Sequence, residues 1–191
     1  ATIVMLFAQL LATNAHTSGI SPATAGDETS SYGINIIGVP VTPENCNDLS
    51  VIDGVSGTVK YDPTTKTLTL ENATIDTGDN TGDNAQGIFN SEVPDLNIQV
   101  NGTNKITSHS SAVTISQTTT ISGTGTLNAT STDNCGIYVF NSALTIEDCT
   151  VSAIGKWGIA GPGYNNRAEF VIRNAIVTAK GSDGSICDIS K

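Results

Sequence analysis

The apolar residues of this chain fall into short alternating runs that return at intervals in the twenties. The first run of each interval is Leu68-Thr69-Leu70, Leu96-Asn97-Ile98, Thr119-Thr120-Ile121, Leu144-Thr145-Ile146 and Phe170-Val171-Ile172; the last residues lie 28, 23, 25 and 26 positions apart. A second run places Ile75, Ile106, Leu127, Val151 and Val177 five to eight residues later. A third begins at Gly87-Ile88, Ala112-Val113, Gly136-Ile137, Gly158-Ile159 and Gly184 with Ile186. Three registers that repeat in step, with period 2 inside each run and no 3.6-residue period, predict an all-β chain. The expected architecture is a right-handed parallel β-helix, a β-solenoid of about five three-faced coils with an N-terminal β cap. Each coil would stack on the next at about 4.8 Å, pairing its backbone with its neighbours.

Alternation turns Leu68, Leu70, Leu144 and Ile146 inward and Thr69, Glu71, Thr145 and Glu147 outward. After the triplets come Asn72, Gly123, Asp148 and Asn174, residue types that tolerate the left-handed backbone of a sharp bend. Four regions follow. Residues 1–15 are an apolar N-terminal segment, residues 16–31 have linker composition, residues 32–67 form the cap, and residues 68–191 form the coils. The chain shows no amphipathic capping helix after the last coil, so that end of the stack is expected to be bare.

Composition narrows the function. Hydrophobic residues are 38% and aromatics 5%, so Ile, Val, Leu and Ala in regular layers must fill the core. The net charge of -10 repels nucleic acid and anionic membrane surfaces. Thr, Ser and Asn on the outward positions suit an extracellular or cell-surface location. Cys46, Cys135, Cys149 and Cys187 have no metal-ligand spacing, and only His16 and His109 are there to join them. Disulfide pairing among the four is left open. Residues 1–15 are too short an apolar stretch to span a bilayer, so no membrane span is expected. They read as an assembly strand or as the remnant of a secretory signal.

The coils, together with GINIIGVPVT and GTVKYDPTTKTLTLENATI before and into them, resemble secreted bacterial right-handed parallel β-helix proteins of pectate-lyase-like type. These are carbohydrate-binding domain-containing proteins of Bacteroidetes and Firmicutes. The resemblance covers about 160 of 191 residues, and YDPTTKTLTLENATI is its most specific element. It implies an exported, surface-displayed β-helix without an established reaction. Residues 1–15 lie outside the pattern.

Candidate chemistry is sparse. A β-helix lyase or hydrolase needs carboxylates clustered on adjacent coils beside a base. The outward column Glu71, Gln99, Ser122, Glu147 and Arg173 puts only Glu147 and Arg173 on neighbouring coils, and an exposed ion pair explains those two. No catalytic residue is assigned and no enzyme activity is expected. The run 76–84 concentrates Asp76, Asp79 and Asp83, oxygen donors of the kind Ca²⁺ takes; no cofactor is otherwise expected, and Ca²⁺ is the one candidate. Trp157, Tyr138 and Tyr164, with Arg167, are the candidate saccharide platform, since ring faces stack on sugars. Asn72, Asn101 and Asn128 each begin a glycosylation sequon. Ile3, Met5, Phe7 and Leu10 are the candidate assembly anchors.

The expected function is a non-catalytic extracellular surface structural protein, a fibre or filament subunit donating its N-terminal segment head to tail. The alternatives are a non-catalytic carbohydrate-binding module or adhesin, and a polysaccharide lyase or hydrolase. Expected partners are other copies of the chain and extracellular glycans.

Overall fold

The computed structural model describes residues 30–82, 85–163 and 168–187. Strand dominates, and the fold is a parallel β-solenoid of about four turns. A hairpin of β1 (Ile34–Ile36) and β2 (Val39–Pro40) comes first. A single 3-10 turn follows at Leu49–Val51, and then β3 (Val55–Asp62). The first layer of the solenoid is β4 (Thr67–Asp76) and β5 (Ile88–Asn90). The second is β6 (Leu96–Asn101), β7 (Thr103–Ser108) and β8 (Val113–Ile115). The third is β9 (Thr119–Gly123), β10 (Thr126–Ser131) and β11 (Cys135–Val139). In the fourth, β12 (Ala143–Glu147) precedes β13 (Thr150–Ala160), which bends through two faces. In the fifth, β14 (Glu169–Arg173) and β15 (Ile176–Cys187) repeat that plan.

The first face stacks β4, β6, β9, β12 and β14 in parallel. Ile98, Ile121, Ile146 and Ile172 form one inward column, and Leu96, Thr119, Leu144 and Phe170 the next. Between the first and second layers the register differs from the triplet alignment. Leu68 lies opposite Ile98 and Leu70 opposite Val100, two residues further on than expected. The run Leu96, Ile98, Val100 offers three apolar positions of the same parity, and a slip of two keeps every side chain on its face. Sequence periodicity therefore fixes the face of this strand but not its register.

The second face corrects a further alignment. Ile75 and Ile106 share a column with Ala129, Ala153 and Ala179, whereas Leu127, Val151 and Val177 share one with Asn104. Asn104 is fully buried: it accepts the Ala73 N–H at 2.9 Å and donates to Asn101 O at 3.1 Å and Thr126 O at 3.3 Å. Its amide thus satisfies backbone groups at the bend, where the strand ladder is interrupted. The third face stacks Ile88, Val113, Ile137, Ile159 and Ile186 in the expected register.

The bend between the first two faces carries one residue with positive φ in every layer: Asn72 (48°), Gly102 (64°), Gly123 (124°), Asp148 (56°) and Asn174 (45°). Asn and Asp tolerate this left-handed region better than other side chains, and Gly enters it freely. Before the coils, β3 runs antiparallel along β4 with a bulge between Ser56 and Thr58, and β1 runs antiparallel along β5. Val55, Val59 and Tyr61 of β3 join Ile34, Ile36, Leu49 and Ile52 in the same buried cluster as the coil interior.

Candidate functional site

Among the described residues no helix is long and apolar enough to cross a membrane, and no three of His, Cys, Asp and Glu come together as metal ligands do. Asp76 and Asp79 do face one groove of about 600 Å³, with Asp53, Ile37, Val39 and Ile52 on its other walls. One oxygen of Asp76 already accepts the Gly78 N–H at 2.9 Å. Asp83 lies outside the described residues.

The outer side of the first face rearranges with the corrected register. Thr69, not Glu71, lies opposite Gln99, and Glu71 lies opposite Asn101. Glu147 and Arg173 are ladder partners with 3.7 Å between their charged groups, both open to solvent. Such a pair contributes little to stability.

On the third face, Phe89, Thr114, Tyr138, Ala160 and Cys187 form the outward column. Tyr138 and Trp157 line one open groove of about 390 Å³ with Asn134, Cys135, Gly161, Pro162 and Cys187. Two of the four predicted platform residues are therefore brought together; Tyr164 and Arg167 lie outside the described residues. The four cysteines are free thiols, and burial pushes Cys135 up to about 11. Asn72 keeps its turn role and accepts the Thr103 N–H at 3.1 Å, while Asn128 donates to Asn104 O at 3.4 Å. Asn101 ends β6 with its backbone oxygen held by Asn104.

No family model, curated protein or solved structure matches this chain. Its own geometry carries the functional reading.

A charged corner was not legible in the sequence. Lys156 approaches Asp133 at 2.7 Å and His109 approaches the same carboxylate at 3.7 Å, one residue from each of three successive layers. The Lys156 hydrogen bond and charge, and then His109, hold Asp133 below the ordinary carboxylate range. The residues occupy the corner between the second and third faces, and only the layer assignment brings them together.

The most distinctive surface is the last layer. Ile172 and Ile186 continue inward columns whose lower members are fully buried, yet they are 48% and 53% exposed. Phe170, Val177 and Ala179 are likewise only partly covered. Ile176, on the outward side, is 68% exposed. Among the described residues β14 pairs only with β12 and β15 only with β13, so their far edges carry unpaired backbone groups. The candidate assembly anchors Ile3, Met5, Phe7 and Leu10 lie outside the described residues.

Proposed function

We propose that this chain is a non-catalytic structural protein of an extracellular or cell-surface layer that self-associates through the open end of its coil stack. One observation carries the reading: Ile172 and Ile186 belong to core columns but face solvent. An uncovered row of core side chains beside two free strand edges is a template for another chain. Each such side chain, once covered, contributes roughly 1.5–3 kcal/mol before the cost of association. The end can be covered by the apolar N-terminal segment of a neighbour, which propagates head to tail, or by the neighbour's own last layer, which closes.

Sedimentation velocity of the full chain over a concentration series tests the association. Mass should rise with concentration, and Ile186→Lys should return the protein to monomer because it would bury a charge in the contact. A wild-type chain that stays monomeric throughout would overturn the reading.

The shared groove of Tyr138 and Trp157 favours a second function, saccharide binding. Two aromatic walls with amide and backbone groups between them suit the mixed faces of a sugar ring. Trp157→Ala should abolish any glycan-array signal given by the wild type; an array without hits removes this function.

A further inference from the structure

We propose that two copies of this chain join tail to tail through their last layers, about a two-fold axis passing through Val171 and the corner at Gly181 and Ser182. The proposal rests on the reading of this end as an association surface and names its occupant, a second copy of the same surface.

The sequence of β14, Glu169-Phe170-Val171-Ile172-Arg173, complements itself when reversed. Its ladder with β12 sets Phe170 and Ile172 above the buried Leu144 and Ile146, hence inward, and leaves Glu169, Val171 and Arg173 outward. A half-turn about an axis lying in the end plane lays β14 antiparallel on its copy, with Val171 opposite the partner's Val171. Phe170 then meets the partner's Ile172, inward against inward, and Glu169 meets the partner's Arg173, opposite charges outside. Directly opposed residues of an antiparallel pair share a face, so this parity is required.

The same rotation exchanges the other two faces. Residues 176–180 of β15 come to lie antiparallel to residues 183–187 of the partner. Val177 and Ile186 continue inward columns, above Val151 and Ile159. The rotation sets Val177 opposite the partner's Ile186. Lys180 falls opposite the partner's Asp183, and Ile176 opposite the partner's Cys187, both outward. One axis therefore satisfies three conditions on three faces: inward meets inward, apolar meets apolar, and each charge meets its opposite. Two-fold contacts repeat every such pair twice, which is how a small patch becomes a specific interface.

Cysteine at the axis gives the direct test. The Cα atoms of two directly opposed residues are about 4.5–5.5 Å apart, within reach of a disulfide. Full-length Val171→Cys, mildly oxidised, should therefore run as a covalent dimer on a non-reducing denaturing gel. Thr145→Cys, one layer below in the same outward column, and the wild type should not. Charge reversal supplies a second measurement. Glu169→Lys or Arg173→Glu alone sets like charges opposite each other twice per dimer and should weaken dimerisation about tenfold. The two together in one chain restore every pair and should return affinity to within about threefold of wild type.

A chain that self-associates without the Val171→Cys cross-link, or a double reversal as weak as either single one, overturns the tail-to-tail axis but leaves the association reading standing. Loss of association on deleting residues 1–15 would assign the end to the N-terminal segment and also overturn it. A wild-type monomer at all concentrations defeats both.

Discussion

The two ends of this solenoid begin from the same columns and finish differently. At the N-terminal end the repeat is broken: β3 reverses direction along β4, bulges between Ser56 and Thr58, and carries Lys60 exposed on its edge strand. Val55, Val59 and Tyr61 are nonetheless buried, with Leu49 and Ile52 in the same cluster. At the C-terminal end the repeat continues to the last described layer. There β14 and β15 run parallel to the layers beneath, with one register shift between Gly181 and Gly184, and among the described residues no strand pairs with their far edges. A bulge and an edge lysine are devices that discourage another chain from pairing. The C-terminal edge has an exposed lysine too, Lys180, and that one register shift, but it stays parallel and leaves Ile172 and Ile186 half-exposed. The difference teaches that a parallel repeat carried to its last described layer leaves members of the core columns exposed, whereas a reversed strand lies over them at the other end.

The largest test compares residues of one column. Ile121 is fully buried and Ile172 half-exposed in the same stack. Ile121→Ala should cost about 2–5 kcal/mol in urea unfolding. Ile172→Ala, measured at concentrations where the chain is monomeric, should cost less than about 1 kcal/mol because little of its surface is covered. Equal costs would show that something covers the C-terminal end within the monomer, and the contrast between the ends would fall.

Two smaller substitutions probe the N-terminal layers. Gly57 sits at φ 78° beside the bulge, where an added Cβ would lie 2.3 Å from Asn72 O. Gly57→Ala should destabilise by roughly 1–3 kcal/mol through left-handed strain and that close approach. Asn104→Ala would strip the Ala73 N–H of its acceptor inside the core and should cost about 1–3 kcal/mol. If thermal unfolding of either variant matched wild type, the first layers would be looser than their geometry implies.

The repeat and its three faces were readable because alternation survives on every face, and because Asn72, Gly123, Asp148 and Asn174 mark the bend. The register of β6 was not, since Leu96, Ile98 and Val100 offer alignments two residues apart that bury the same face. The column shared by Asn104, Leu127 and Val151 was missed for a related reason: a buried amide reads as a polar, outward residue until its backbone partners are known. The exposure of Ile172 and Ile186 came only from the structure, since in the sequence they look like any other inward residue of the repeat. The self-complementarity of the last layer needed the inward and outward assignment of Glu169 to Arg173, which only the ladder with β12 supplies. The meeting of Tyr138 with Trp157 in one groove likewise depends on β11 lying beside β13.

The smallest expected effect belongs to the charged corner, which ties middle layers together rather than either end. Asp133 is held below its ordinary pKa, first by the hydrogen bond from Lys156, then by that ammonium's charge and by His109. A depressed carboxylate pKa contributes stability above its unfolded value and loses it as pH falls through the folded one. Lys156 is raised by the same contact, so its share is present at neutral pH and lost only as alkaline pH passes its folded value. All three side chains are well exposed, so solvent and salt screen the interaction. Thermal unfolding of wild type and Asp133→Asn should therefore differ slightly at neutral pH and low salt. The curves should converge both in high salt and as acid protonates the carboxylate. A gap that persists unchanged in acid would mean that Asp133 shapes the corner through geometry and not through charge, and the middle layers would then be held by packing and backbone ladders alone.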